Sequence, residues 1–270
     1  MEVATPFDIM AETYDEDFTL SSIGQLQRAC VWDAIGSLVN NKLVPLKILE
    51  INCGTGEDAI HFAKLGHQVK ATDLSATMIA KAGNKLARLG HDANNLNLQQ
   101  CGFNELYKQL GHEQFDLVFS NFGGINCIDE RAMRQLSLDC SNMLKPGGQI
   151  VIVAMNSFCL WESAYYIFKG EFKQAFRRFG NKHLLEIGES SMRFFPYSAR
   201  KLKKLMGNEF QFDGIFPIGL TIPPSYLEKQ FSTKQGWLHI LNRWEKKLRK
   251  WSVLSALSDH FLVILKKRAK

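Results

Sequence analysis

The chain of 270 residues contains no apolar run that reaches the roughly 18 residues of a membrane-spanning helix. Its first residues, Met1-Glu-Val-Ala-Thr-Pro-Phe-Asp8, lack the basic and then apolar stretches of a secretory signal, so a soluble protein of the cytoplasm is expected. Cys30, Cys53, Cys101, Cys127, Cys140 and Cys159 form no CxxC pair and have no histidine at metal-ligand spacing. That scatter predicts reduced, mostly buried thiols, with no disulfide and no bound metal. Acidic residues are scarce in the second part of the chain: residues 151–270 hold 9 against 21 lysines and arginines, whereas residues 1–150 hold 18 against 12. Solvated helix faces account for such an excess most simply. An anionic partner, either nucleic acid or a membrane surface, is also compatible with it.

What is present begins with Lys47-Ile-Leu-Glu-Ile-Asn-Cys-Gly-Thr-Gly56, a short apolar strand that ends in an acid and runs into a tight glycine turn. Further on, Gln68-Val-Lys-Ala-Thr ends at a second acid, Asp73, which completes one βαβ unit and brings two carboxylates to one sheet edge. Such a turn suits a nucleotide-like cofactor, and Gly54-Thr-Gly-Glu-Asp-Ala59 even satisfies the loose dinucleotide pattern G-x-G-x-x-A. Charge separates the two cofactor classes. A pyrophosphate would sit at the positive end of the following helix, where Glu57 and Asp58 stand. S-adenosylmethionine (SAM) has no phosphate and carries a sulfonium cation, so it is the better fit.

Glu50-Ile-Asn-Cys-Gly-Thr-Gly56 resembles the first motif of the class I SAM-dependent methyltransferases, Glu/Asp-x-Gly-x-Gly-x-Gly. Asn52 replaces the first glycine, and asparagine enters positive φ at modest cost. Thr72-Asp-Leu-Ser-Ala-Thr-Met78, Phe115-Asp-Leu-Val-Phe-Ser-Asn121 and Leu144-Lys-Pro-Gly-Gly-Gln-Ile-Val-Ile-Val153 resemble later motifs of the same family, in the family's order. The resemblance implies SAM as cofactor, S-adenosylhomocysteine (SAH) as product, and methyl transfer to O or N of a small acceptor, a hydrophobic one among the options. RNA or lipid as acceptor, with membrane association, and a non-catalytic SAM-binding regulator are the other readings. The Asn/Asp-Pro-Pro-Tyr/Phe motif of DNA amino-methylating enzymes is missing, since Ser120-Asn-Phe-Gly123 stands in its place, and no RNA-binding module is visible.

Alternating strands (46–51, 68–73, 96–100, 115–120, 149–154) and helices (57–65, 76–89, 130–143), behind a leading helix at 21–40, predict an α/β fold. The expected form is a doubly wound, mostly parallel seven-stranded sheet, completed by strands near 210–216 and 261–266. From the resemblance, the last strand is antiparallel. One methyltransferase domain spans 1–270 in this reading. Residues 1–40 form a cover segment and helix, and 41–155 the SAM-binding core. The long connections 156–203 and 221–258 form helical insertions, a substrate hood over the active-site edge. Trp161, Tyr165, Phe168, Phe172, Phe176 and Phe179, and then Trp237, Leu241, Trp244, Leu248 and Trp251, recur at helical spacing opposite lysines and arginines. Such stripes are expected mostly as core packing on the sheet. The other reading is a greasy entrance whose basic rim meets anionic headgroups.

Under the resemblance, Glu50 receives the ammonium of the SAM methionine moiety and Asp73 the ribose hydroxyls. Asn52, Cys53, Gly54 and Gly56 let the backbone approach the cofactor. Leu74 and Met78 line the adenine pocket. Gly102 occupies the place of the family's adenine-binding acid, leaving backbone groups near Gly102 and Phe103 for that contact. Asn121 and Phe122 face the methyl-donor end, and Tyr14 covers the cofactor from the N-terminal segment. Arg28 is expected as an outward helix arginine, with a cofactor-carboxylate contact as the other option. His260, Tyr226, Glu228 and Glu162 are the candidate bases, whereas His61 and His67 lie on the wrong side of the first helix.

Overall fold

The computed structural model describes residues 6–90, 94–179, 183–187 and 190–269. Five parallel strands open the sheet: β1 (Lys47–Ile51), β2 (Gln68–Asp73), β3 (Leu96–Gln100), β4 (Phe115–Ser120) and β5 (Leu144–Met155). With β8 (Phe210–Ile218) and β9 (His260–Lys267) the order is β3-β2-β1-β4-β5-β9-β8, and β9 runs antiparallel to both of its neighbours. The predicted doubly wound sheet is therefore observed. Strand order reverses between β1 and β4, and the loops leaving their carboxyl ends define the crevice where such sheets take ligands.

Apolar runs in β1, β4, β5 and β9 are buried on both faces. One layer packs Ile23, Val31 and Ile35 of α2 (Ser22–Val39) and Phe62 of α3 (Glu57–Lys64) against Ile48, Phe119 and Val151. The opposite layer packs Met133, Leu136 and Cys140 of α6 (Glu130–Met143) against Ile51, Val118 and Ile152. Side-chain caps fix where these helices begin: Ser21 Oγ accepts from Gly24 N at 3.0 Å, and Asp129 Oδ1 from Ala132 N at 2.9 Å, as its sequence position predicts. Ser75 Oγ caps α4 (Ala76–Leu89) in the same way. The six cysteines are free thiols, five of them buried. Among the described residues, no helix is long and apolar enough to cross a membrane.

The N-terminal segment is α1 (Pro6–Ala11) followed by a π-helical turn, Asp15–Thr19. It is fastened over the glycine loop between β1 and α3 by polar contacts. Asp8 accepts from Thr77 N and bonds Ser75 Oγ, and Asp15 Oδ1 accepts from Thr55 Oγ1 at 2.6 Å and from Lys85 Nζ at 2.8 Å.

The insertions differ from the expected paired amphipathic helices. Gly170, at φ 75°, interrupts the first stripe, which becomes α7 (Leu160–Phe168), a single turn α8 (Phe172–Ala175) and a 3₁₀ turn. A two-stranded hairpin follows, β6 (His183–Ile187) with β7 (Ser190–Phe194), and then α9 (Ala199–Met206). The second insertion carries α10 (Glu228–Phe231) and α11 (Gln235–Leu248), and α11 lies on α2. The expected core packing of the stripes is also corrected. Phe168, Phe172, Phe176, Phe179, Trp237, Trp244 and Trp251 are exposed, because each short helix buries a different face. In α11 the inner face holds Leu238 and the buried carboxylate of Glu245, which accepts from the Leu220, Thr221 and Ile222 amides.

Candidate active site

The loop from β1 to α3 places Asn52 at φ 56°, Gly54 at 54° and Gly56 at 80°. Asparagine thus takes the left-handed conformation expected of it. A Cβ on Gly56 would fall 2.8 Å from Ala82 Cβ, so this turn needs glycine for space as well as for φ. Asp73, at the end of β2, closes the loop: its Oδ2 accepts from Gly54 N at 2.8 Å and its Oδ1 from Ser75 N at 2.9 Å. Burial raises the Asp73 pKa, and the Ser75 and Gly54 amides oppose that rise.

Asn52 does more than accept positive φ. Its Nδ2 donates to Asn121 O at 2.8 Å and its Oδ1 accepts from Ser120 Oγ at 2.6 Å, tying the β1 loop to the β4 loop. In the β4 loop Phe122 stands at φ 40°, a strained value for a ring-bearing residue. Its ring meets Phe18 at 4.8 Å and His260 at 5.4 Å, both edge to face.

Behind this wall lies a charged cluster. Arg28 points inward, contrary to the outward expectation, because it pairs with Asp58 beneath the rings of Phe18 and Phe122. Asp58 also accepts from Trp32 Nε1 at 2.7 Å and Asn121 Nδ2 at 3.0 Å. Glu57 in turn lies 3.4 Å from Lys85. The start of α3 is therefore closer to neutral than the bare sequence implies, and the charge argument against a pyrophosphate is weaker than it reads there.

Glu50 is fully buried, and its Oε2 has no partner among the described residues. Burial pushes its carboxyl well above the usual carboxylate range; Asp58 and Asp73 add to the rise, and Arg28 opposes it. Such an orphaned acid is costly unless a cation meets it. Tyr14, half-buried, sets its Cε1 3.8 Å from the Cβ position of Gly54, and burial raises its hydroxyl to about 12.

A cavity of about 1250 Å³ runs from this loop past His260. Tyr14, Asn52, Gly54, Asp73, Leu74, Met78, Gly102, Phe103, Phe122, Tyr226, Glu228 and His260 all line it. Glu50, Cys53, Gly56 and Asn121 do not border it and stand behind its lining. The far end was not legible in the sequence: Met192 and Phe194 of β7 and Met155 of β5 form its apolar wall. Buried Asn126 organises that wall, accepting from Met155 N at 2.8 Å and donating to Phe195 O at 2.8 Å. The stripe-bearing helix α11 takes no part, so the cover comes from the hairpin and from residues 224–229.

Of the candidate bases, three are engaged by partners within the fold. Both oxygens of Glu228 accept from the Ser22 and Ile23 amides, at 3.0 and 2.9 Å, capping α2. Tyr226 Oη donates to Glu162 Oε2 at 2.9 Å, and burial together with Glu162 raises its pKa far above its usual value. Glu162 is clamped by Arg177 and Arg178; burial alone would raise its pKa, but the two guanidinium groups hold it below the usual range. His260 remains: it lines the cavity, and its Nδ1 lies 3.1 Å from Asp259 Oδ2, at an ion-pair distance but off hydrogen-bond alignment. Burial would raise the Asp259 pKa, yet His260 and Arg178 depress it strongly, with Arg178 Nη2 donating to Oδ1 at 2.6 Å. His61 stacks on Trp32 at 3.8 Å and His67 bonds Val39 O, both away from the cavity.

Fold, glycine loop and acid positions together define a Rossmann-like sheet with a ligand-binding edge at the β1 and β2 carboxyl ends. The family described as a methyltransferase domain matches residues 48–148. Among curated relatives, the tRNA 5-carboxymethoxyuridine methyltransferase of Escherichia coli (strain K12) is 28% identical over 153 residues, 56% of each chain. The demethylmenaquinone methyltransferase of Paenarthrobacter aurescens (strain TC1) is 29% identical over 170 residues, 61% of this chain and 60% of the relative. The chain thus spans little more than half the length of these relatives. Among solved structures, the CcbJ methyltransferase from Streptomyces caelestis superposes with a TM-score of 0.62 at 14% identity, covering 98% of this chain and 99% of that one. The glycopeptide N-methyltransferase MtfA, complexed with SAH, gives a TM-score of 0.57 at 15% identity, covering 88% and 89%. Residues 48–148 are thus similar in sequence to a methyltransferase domain, and the likeness to these solved structures is one of fold.

Proposed function

We propose that the protein transfers the methyl group of SAM to an oxygen or nitrogen of a small, largely apolar acceptor. The observation that carries this reading is the continuous cavity of about 1250 Å³, which joins the cofactor loop to the wall of Met155, Met192 and Phe194. Ligand pockets typically hold about 300–1,000 Å³, so this volume accommodates a cofactor and an acceptor together.

The residues fit SAM. The orphaned Glu50 carboxyl, behind the cavity lining, suits the ammonium end through a bridging water, Asp73 retains lone pairs for the ribose hydroxyls, and Leu74, Met78, Gly102 and Phe103 line the adenine region. Tyr14 covers the glycine loop. When bound, SAM supplies an electrophilic methyl group on a sulfonium that leaves as a neutral thioether.

The protein's own contribution is chiefly alignment. Phe122, Phe18 and the hairpin wall confine the acceptor and exclude water. His260 is the proposed proton acceptor, acting through Nε2 while Nδ1 faces Asp259. Asp259, kept ionised by Arg178, favours the imidazolium that forms. These two are positioning groups.

The deciding experiment incubates the protein with methyl-labelled SAM and a cell extract, then separates small molecules, lipids and RNA. Label in the small-molecule fraction is expected. Label confined to RNA, or SAH binding without any transfer, would overturn the reading.

A further inference from the structure

We propose that the outer face of α11 and the turn after it form a docking surface for a bilayer rich in anionic lipids. Trp237 is 64% exposed, Trp244 52% and Trp251 62%, and Ile240 and Val253 are exposed beside them. Trp237, Ile240 and Trp244 recur at helical spacing on one face of α11, whose other side is already engaged, and Trp251 and Val253 follow in the turn after it. Leu238 is buried, and Glu245 is fixed to the backbone of residues 220–222.

Charge says what covers it. Lys234, Arg243, Lys246, Lys247 and Lys250 are all exposed around these rings. From residue 229 to 258 the sequence has one acid, Glu245, and it is buried. The outward surface of this segment is therefore cationic without a counter-charge of its own. Arg243 and Lys247 lie along one edge of the Trp244 stripe, with Lys247 Nζ 5.1 Å from the Trp244 ring centre. Tryptophan prefers the headgroup boundary, and lysine stems reach from an apolar layer to its charged surface. Aromatic rings among cations also suit single-stranded nucleic acid. Ile240 and Val253 offer no ring for a base to stack on, whereas both gain from burial among acyl chains.

The test is vesicle co-sedimentation of the full chain at low salt, read together with tryptophan emission. Vesicles of phosphatidylcholine with about a third phosphatidylglycerol should bind at least about tenfold more tightly than phosphatidylcholine alone. Added salt should weaken binding, and the emission should shift to shorter wavelength. A triple variant, K246E/K247E/K250E, should lose the preference for anionic lipid. A second, W237S/W244S/W251S, should weaken binding about tenfold, and both should keep wild-type SAH affinity, which certifies folding. Absence of anionic-vesicle binding by the wild-type protein would overturn the proposal even if the variants fail to fold. So would displacement of vesicles by a single-stranded RNA oligomer that binds more tightly, or a dimer in sedimentation that the tryptophan variant dissolves.

Discussion

A side chain on Gly124 would collide with Asn52: its Cβ would lie 2.4 Å from Asn52 Cγ and 2.6 Å from Asn52 Cβ. The asparagine amide thus lies across the β4 loop, bonded to Ser120 Oγ and Asn121 O, and Gly124 leaves the room for it. The two loops that border the cofactor region are registered by this one contact.

Asn52→Gly would be harmless if φ alone mattered. The structure predicts otherwise. Losing both bonds should cost about 1–2 kcal/mol, only partly offset by glycine's ease at positive φ. SAH affinity should fall several-fold by calorimetry, with a lower melting temperature. Gly124→Ala should have a similar effect by pushing the same amide aside. Wild-type affinity in both variants would show that the bridge is idle.

Glu50 leads to a pH prediction. Its folded pKa lies above its unfolded value. Its contribution to the stability of the ligand-free protein is therefore fully present below the ordinary carboxylate range and is lost as pH rises through the folded pKa. A cationic ligand group favours the ionised form, so binding releases a proton. SAH affinity should therefore rise from pH 5 to 7, by at most about tenfold per pH unit, while the ligand ammonium stays protonated. Glu50→Gln should bind weakly with a flat profile, and its ligand-free form should melt higher than wild type at pH 7. A Gln variant that keeps the pH slope would assign that slope to another group.

The buried pair of Arg178 and Asp259 predicts the opposite slope. Asp259 has a depressed folded pKa, so its contribution is present above the ordinary carboxylate range and is lost as pH falls through the folded pKa. Among the described residues, Asp259→Asn leaves the buried Arg178 with Glu162 as its sole carboxylate partner. The expected cost at pH 7 is about 3 kcal/mol, or roughly 6–12 °C in melting temperature. The gap from wild type should narrow as pH falls below about 4, where the carboxylate of the unfolded chain binds a proton that the folded one still refuses. A constant gap across pH would mean that packing, not charge, sets the loss.

How far the sequence carries is visible in particular residues. The strands and the left-handed Asn52 are local properties, set by periodicity and turn chemistry, and they could be read directly. The hairpin at 183–194 was obscured because an aromatic stripe suggested a long helix, which Gly170 interrupts. Glu228 looks like a free acid until the fold brings it, across more than 200 residues, onto the start of α2. Arg28 looks like a surface cation until Asp58 approaches it. Side-chain partnership between distant segments is a tertiary property, and the catalytic shortlist depended on it.

His260 is what that shortlist leaves, and its substitution tests the proposed chemistry. A proton acceptor within reach of the acceptor atom contributes about 10²–10⁴ in rate. His260→Asn keeps a polar, planar group against Asp259 and Phe122, so SAH affinity and melting temperature should change little while kcat falls by at least about 100-fold. Asp259→Asn should lower kcat less, since it removes only support for the imidazolium, and should alter the pH profile of kcat. A purely structural histidine would behave otherwise, with stability and SAH affinity falling together and kcat staying within a few-fold for the folded fraction. That pattern would mean the enzyme works by alignment alone, on an acceptor that arrives already deprotonated.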